Sequence, residues 1–380
     1  MSRISVIGSG FIAKGFINLL HDHPQHTLEK ILTRTSIDKR GDVQHQKHMT
    51  NDLEDLIENS DLIVECTGDA VYACDSINRI LEASIPVVTM NSEFHITTGS
   101  YFIGKGLVTE AEGDQPGVLA MLHEEAVAMG FKPLVYGNIK GFLNQDPSLE
   151  DMQYWSKRSG ISLNMVTSFT DGTKVQIEQA FVANGLHAGI AQDGLVGLAD
   201  DDMKHGGSIL AEKAKELGYP ISDYLLSPKL PAGVFLAVEH NENQKAGLRY
   251  YKMGDGPYYI LERTFHLCHM EIMKTVDRVL RGGGILLDNS TDPTISVTTI
   301  AKRDLKPGEK IKKGIGSFDV RGIAVRIKEH KGHVPIGLMK DVVIKRAVAA
   351  GSELTFEDVE LPESLAVKAW KNIEKKVFES

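Results

Sequence analysis

The stretch Ser2-Arg3-Ile4-Ser5-Val6-Ile7-Gly8-Ser9-Gly10-Phe11-Ile12-Ala13-Lys14-Gly15-Phe16-Ile17-Asn18-Leu19-Leu20 decides the fold. Ile4 to Ile7 is a short apolar run ending in glycines, and Ile12, Phe16, Leu19 and Leu20 recur at helical spacing across Phe11 to Leu20. The reading is strand, tight turn, helix. Gly8 permits the sharp turn off the strand, Gly10 lets the backbone approach a pyrophosphate, and Ala13 with Gly15 allows the helix to pack closely on the sheet. A helix N-terminus in that place offers free N–H groups and a partial positive charge to phosphates. Gly8, Gly10, Phe11 and Ile12 are therefore the first candidate cofactor contacts. An ordinary strand-to-helix turn would use the same glycines, but further alternating units favour a dinucleotide.

Outward from this turn, strands are expected at Leu28 to Thr33, Leu62 to Glu65 and Val87 to Met90, with helices at Asn51 to Glu58 and Ala70 to Ala83. That alternation predicts an α/β chain whose residues 1–140 form a Rossmann domain, a parallel sheet with right-handed crossovers. From about Gly113 the helical patterns lengthen, as at Val118 to Met129 and Lys174 to Asn184, which predicts an α+β catalytic domain over residues 141–295. Near Ser296 come short β-type runs, Val297 to Ile300, Ile323 to Ile327 and Val342 to Ile344, separated by turns such as Lys306-Pro307-Gly308. Residues 296–380 are expected to be a small β-rich module with a helical tail, Ser364 to Phe378.

The net charge of -9 lacks the clustered Lys and Arg that phosphate neutralisation on a nucleic acid requires, so a small-molecule substrate is expected instead. Cys66, Cys74 and Cys268 are too few for a disulfide framework and read as small buried hydrophobes in a reducing compartment. The first strand follows Met1 within three residues, leaving no room for a signal peptide, and no run of about 18 apolar residues suggests a membrane span. A cytoplasmic homo-oligomer with no nucleic-acid or membrane partner is the expectation.

Cofactor choice is set where the second strand ends, at Thr33-Arg34-Thr35. With no carboxylate there to accept from a ribose 2′-hydroxyl, Arg34 suits the 2′-phosphate of NADP, and NAD stays open because an arginine also stacks on adenine. Thr67 and Gly68 at the exit of the third strand, and Asn91 at the exit of the fourth, lie on the sheet edge where ligand binds. Asn91 and Glu93 equally suit a capped helix start.

For chemistry, Ser168-Phe169-Thr170-Asp171-Gly172-Thr173-Lys174 places a carboxylate, a glycine and an ammonium ahead of a helix carrying Glu178 and Asn184. Lys174 and Glu178, four residues apart, share a helical face. Lys174 would donate a proton or hydrogen bond to a carbonyl oxygen during hydride transfer, with Asp171 or Glu178 orienting substrate or lysine. The alternative is an N-cap by Asp171 followed by an exposed Lys–Glu pair. Glu93, Asp114, Lys140 and Asn184 are the candidate substrate contacts, with Asp114 in a turn, Gly113-Asp114-Gln115-Pro116-Gly117, that faces either solvent or the cleft. His266, His269 and Glu271 do not have a closed metal spacing, so no metal site is assigned, although Asp171 and Glu178 suit a divalent cation such as Mg²⁺.

The glycine turn, Val64-Glu65-Cys66-Thr67-Gly68, the Gly113 turn and Thr170-Asp171-Gly172-Thr173-Lys174 together resemble the homoserine dehydrogenase-like oxidoreductases with a C-terminal SAF domain. Ala301-Lys302-Arg303-Asp304-Leu305-Lys306-Pro307-Gly308-Glu309 and Gly351-Ser352-Glu353-Leu354-Thr355-Phe356-Glu357-Asp358-Val359 are similar to the SAF signature. That group includes 1-deoxy-D-xylulose 5-phosphate reductoisomerase-like enzymes, which use NADPH and a divalent cation. The resemblance implies reduction of a small polyhydroxylated carbonyl compound, phosphorylated or not, with Asp171 and Lys174 in the active site. Homoserine dehydrogenases carry a lysine soon after the position of Asn91, where this chain has Ser92 and Glu93, so homoserine dehydrogenase is the second reading. A third, a cofactor-sensing sugar-binding protein without turnover, is opposed by the Lys174 block.

Overall fold

The structure is a computed structural model and describes residues 1–41 and 45–379. Its N-terminal part runs β1 (Ser2–Ile7), α1 (Phe11–His21), β2 (His26–Leu32), β3 (Met49–Thr50), α2 (Leu53–Glu58), β4 (Leu62–Glu65), α3 (Ala70–Glu82), β5 (Val87–Thr89), α4 (Ser92–Thr98), β6 (Val108–Glu110) and α5 (Gln115–Ala128). The six strands form one parallel sheet in the order β3-β2-β1-β4-β5-β6. Strand order reverses between β1 and β4, which opens a crevice at their carboxyl ends for a dinucleotide. β4 is buried along its whole length, as a strand covered on both faces must be. On α1 the buried stripe is Ala13, Phe16, Ile17 and Leu20, while Leu19, expected in it, is exposed. The pattern i, i+3, i+4, i+7 beginning at Ala13 passes through Ile17, and Leu19 falls outside it.

The second part comprises β7 (Lys132–Lys140), α6 (Leu149–Ser159), α7 (Leu163–Thr170), α8 (Thr173–Gly185), β8 (Leu198–Ala199), α9 (Met203–Leu217), β9 (Ile221–Leu226), β10 (Val234–Glu239), α10 (Lys245–Tyr250), β11 (Tyr259–Arg263) and α11 (Cys268–Leu280). Its mixed sheet has the order β11-β10-β7-β9-β8. A break after residue 140 therefore falls behind β7, whose ladders all run to this second sheet, antiparallel to β10 and parallel to β9. α11 returns to the first part: Ile272, Val276 and Val279 share a core with Ala13, Phe16, Ile17 and Leu20. Gly15 serves that return, since a Cβ there would lie 2.4 Å from the His269 ring. It thus makes room for α11, and not for the sheet against which the sequence pattern sets it.

The third part holds β12 (Ile295–Ala301), β13 (Lys310–Lys313), β14 (Val320–Arg326), β15 (Lys340–Ile344), β16 (Val359–Glu360) and α12 (Leu365–Glu379). β12 pairs antiparallel with β14, and β15 lies between β13 and β16.

α8 sits where the three parts meet and is buried from Thr173 to Asn184. Three of its polar side chains are answered by backbone, since burial demands partners for them. Gln176 accepts from Ala324 N (2.8 Å) and donates to Gly194 O (2.7 Å), Thr173 Oγ1 accepts from Gly322 N (3.0 Å), and Gln179 donates to Tyr136 O (2.9 Å) and Asp223 O (2.7 Å). β14 of the third part is thereby fastened to the helix that carries Lys174. Among the described residues no helix is long and apolar enough to cross a membrane.

Candidate active site

At the carboxyl edge of the first sheet, α1 starts from Gly10 with no side chain capping its first turn. Those N–H groups are left for an anion. A cavity of about 420 Å³ opens there, bounded by Gly10, Phe11, Ile12, Thr67 and Gly68 on one side and by Lys174 and Lys313 on others. Arg40 donates from Nη2 to Ser9 O beside the turn. Arg34 donates to Asp69 Oδ2 at 2.8 Å and lies 4.6 Å above the Tyr72 ring. Asp69 also accepts from Lys340 Nζ at 2.8 Å, so the third part is pinned beside Arg34. A second cavity, of about 800 Å³, holds Arg34, Thr67 and Gly68 opposite Lys310, Lys312, Lys313 and Lys340. Open helix N-terminus, glycine turn and cationic rim fit a phosphate-bridged dinucleotide.

The same smaller cavity reaches Glu93 and Lys174. From the first turn of α8, Lys174 Nζ donates to Ser92 Oγ (2.8 Å) and Glu93 Oε1 (3.1 Å) and lies 3.5 Å from Asp114 Oδ2. Burial works against the ammonium, but the carboxylates of Glu93, Asp114 and Glu178 outweigh it and hold its pKa well above the ordinary lysine value. One helical turn on, Glu178 accepts from Asn138 Nδ2 (2.9 Å) and Lys140 Nζ (3.0 Å). Burial raises the Glu178 pKa, and Lys140 opposes the rise. Burial also acts to raise Asp114, but the charges of Lys174, His266 and Lys140 more than offset it and leave its pKa lowered.

Gln115 links these groups. With its amide oriented to satisfy its neighbours, the nitrogen donates to Asp114 Oδ1 (2.6 Å) and the oxygen accepts from His266 Nε2 (3.2 Å) and Lys140 Nζ (3.3 Å). On the other ring edge of His266, Nδ1 lies 3.6 Å from Cys268 Sγ.

Lys174, Glu178, Glu93, Asp114 and Lys140 thus come together. Three expected site residues do not join them. Asp171 accepts from Thr173 N (2.9 Å) and is ion-paired to Lys302 (2.6 Å), so it fixes the start of α8 and faces the third part. Asn184, at the far end of the same helix, donates to Ile295 O (2.9 Å) and accepts from Thr294 N and Ile295 N (3.0 Å each), which anchors β12. Asn91 is fully buried and caps α4 by accepting from Phe94 N at 3.0 Å. The Asp171–Glu178 pair does not fit a Mg²⁺ ion, because each carboxylate is satisfied by its own lysine. Among the described residues the cluster with metal-ligand chemistry is Asp114, His266 and Cys268.

The sequence reading sets His266 on a helix face near a cleft, but it misses Ser92, Asn138, Gln115, Cys268, Lys302, Lys313 and Lys340 as neighbours of the cleft. Of the missed residues only Cys268 carries a local signal, through His266-Leu267-Cys268, two soft-metal ligand types two residues apart. His269 and Glu271 are used elsewhere, His269 against Phe11 and Gly15, and Glu271 with Arg263 and Lys274.

Fold and cleft define an NAD(P)-dependent oxidoreductase, and the protein is an enzyme of that class. The model described as homoserine dehydrogenase, NAD binding domain, matches residues 8–100, and that described as oxidoreductase DRL, catalytic domain, matches residues 113–272. Comparison with curated protein sequences gives no significant match. Solved structures that resemble the chain include a putative myo-inositol dehydrogenase from Sinorhizobium meliloti (TM-score 0.41, 10% identity, 75% of this chain and 90% of that one). A biliverdin reductase from Synechocystis, in complex with biliverdin and NADP⁺, is similar at TM-score 0.39 and 10% identity over 76% of this chain and 93% of that one.

Proposed function

We propose that the enzyme uses NADPH to reduce the carbonyl group of a small polyhydroxylated compound that carries a phosphate. The observation that carries this reading is the position of Lys174 Nζ, in one cavity with the Gly10–Ile12 turn and tethered by Ser92 and Glu93. Hydride chemistry comes from the bound cofactor. Lys174 donates a hydrogen bond to the substrate oxygen and stabilises the charge that develops there. Glu178, held by Asn138 and Lys140, orients a substrate hydroxyl, and Glu93 and Asp114 hold the ammonium in place. Lys313, which reaches both cavities from the third part and forms no ion pair among the described residues, is the candidate partner of a substrate or cofactor phosphate.

The test is a screen that follows NADPH oxidation. Turnover of a pentulose phosphate such as 1-deoxy-D-xylulose 5-phosphate, lost when the phosphate is removed, is the expected result. Turnover of aspartate semialdehyde in preference to any keto sugar phosphate would make the enzyme a homoserine dehydrogenase and overturn the reading.

A further inference from the structure

We propose that Asp114, His266 and Cys268 form a three-ligand site for a zinc-type divalent cation beside Lys174. The inference stands on the donor set and does not depend on which substrate is reduced.

The three candidate ligand atoms, one oxygen, one nitrogen and one sulfur, lie within 4.8 Å of one another. The measured edge, His266 Nδ1 to Cys268 Sγ, is 3.6 Å. Tetrahedral coordination with Zn–S of about 2.3 Å and Zn–N of about 2.0–2.1 Å puts those two atoms about 3.5 Å apart, so this edge is already at the coordinated length. A thiolate ligand selects a soft or borderline cation over Mg²⁺, whose ligands are oxygens.

The surroundings are those a metal-bound imidazole needs. In its satisfied orientation Gln115 accepts from His266 Nε2, which engages that nitrogen and turns Nδ1 toward Cys268. Asp114 and Cys268, far apart in sequence, are brought together by a backbone contact that only glycine allows. Gly113 has φ +119°, and a Cβ on it would lie 2.2 Å from Cys268 O.

Three protein ligands leave a fourth position for water or a substrate oxygen, the arrangement of catalytic rather than structural zinc. In that position a substrate carbonyl would be polarised by the cation and by Lys174 together.

The test uses full-length enzyme freed of metal by a chelator and titrated with Co²⁺. The expected result is one equivalent bound with a near-ultraviolet thiolate-to-metal charge-transfer band, displaced by Zn²⁺. That band should disappear in Cys268→Ser, and Gln115→Ala should lower affinity about 10–100-fold while keeping the band. Absence of the band in the wild-type enzyme, or a band unchanged in Cys268→Ser, overturns the site, and a simple S–H donation from Cys268 to His266 then explains the contact. Because absorbance and stoichiometry are read without substrate, failure here is separate from failure of the proposed reduction.

Discussion

Asp171 and Lys302, 131 residues apart in sequence, form a 2.6 Å ion pair in which both side chains are almost wholly removed from water. Lys302 also donates to Ser317 O at 2.7 Å. The pair locks the third part onto the N-terminus of α8, three residues before Lys174, so the placement of the ammonium depends on a residue in another part of the chain. Breaking a buried pair leaves an uncompensated charge, and Lys302→Met should therefore destabilise the protein by about 3–5 kcal/mol. Adding Asp171→Asn to that variant should recover part of the loss. Urea unfolding midpoints of the two single variants and the double variant measure the coupling.

A second contact between the same parts titrates. His330 bridges Asp193 (Nε2, 2.8 Å) and Glu353 (Nδ1, 2.9 Å), and Arg326 lies 3.6 Å from Asp193. Burial acts to lower the imidazole pKa, but the hydrogen bond and charge of Asp193 and those of Glu353 prevail and raise it above the ordinary histidine value. A folded-state pKa above the unfolded value of about 6.5 means that the stabilisation is fully present below pH about 6.5 and is lost as pH rises through the folded value. The difference in thermal midpoint between wild type and His330→Gln should accordingly be larger at pH 6 than at pH 9. An equal difference at both pH values would show that the charged bridge contributes nothing.

The parts of the structure legible in the sequence are those that depend on local period. The strand, turn and helix at Ile4 to Leu20 and the Lys174–Glu178 spacing both follow from it. What period leaves open is the identity of the neighbour. A lysine and a glutamate one turn apart read equally as a solvated pair, and it is Glu93, Asp114 and Asn138, from other elements, that turn them into a buried site. Asp171 reads as part of the chemistry because it precedes Lys174, but its partner is Lys302, which no local pattern indicates. The return of α11 to α1 likewise depends on a long-range contact, marked locally only by the absence of a side chain at Gly15.

Removal of the ammonium should affect the chemical step far more than nucleotide binding, because the open N-terminus of α1 is untouched. Lys174→Ala is expected to lower kcat by about 10²–10³-fold, the usual effect of losing one donor to a developing oxyanion. The dissociation constant for NADPH, read from nucleotide fluorescence, should change little. Lys174→Arg should fail to restore turnover, since Ser92, Glu93 and Asp114 are disposed around a compact ammonium rather than a planar, forked guanidinium. Turnover by Lys174→Ala at the wild-type rate would remove the lysine from the mechanism.

Cofactor preference should depend on Arg34 and on the residue that holds it. Asp69 Oδ2 accepts from Arg34 and from Lys340, each at 2.8 Å, so two cations converge on one carboxylate at the rim of the larger cavity. One carboxylate neutralises only one of them, and the remaining positive charge suits a 2′-phosphate better than a ribose hydroxyl. Loss of a charge-assisted hydrogen bond is worth about 1.5–3 kcal/mol, or roughly 10–100-fold in binding. Arg34→Ser should therefore raise KM for NADPH by that factor while leaving KM for NADH nearly unchanged, and Lys340→Ala should act in the same direction. Equal effects of Arg34→Ser on both nucleotides would instead mean that the guanidinium stacks on adenine, and that the enzyme does not distinguish NADP from NAD at this position.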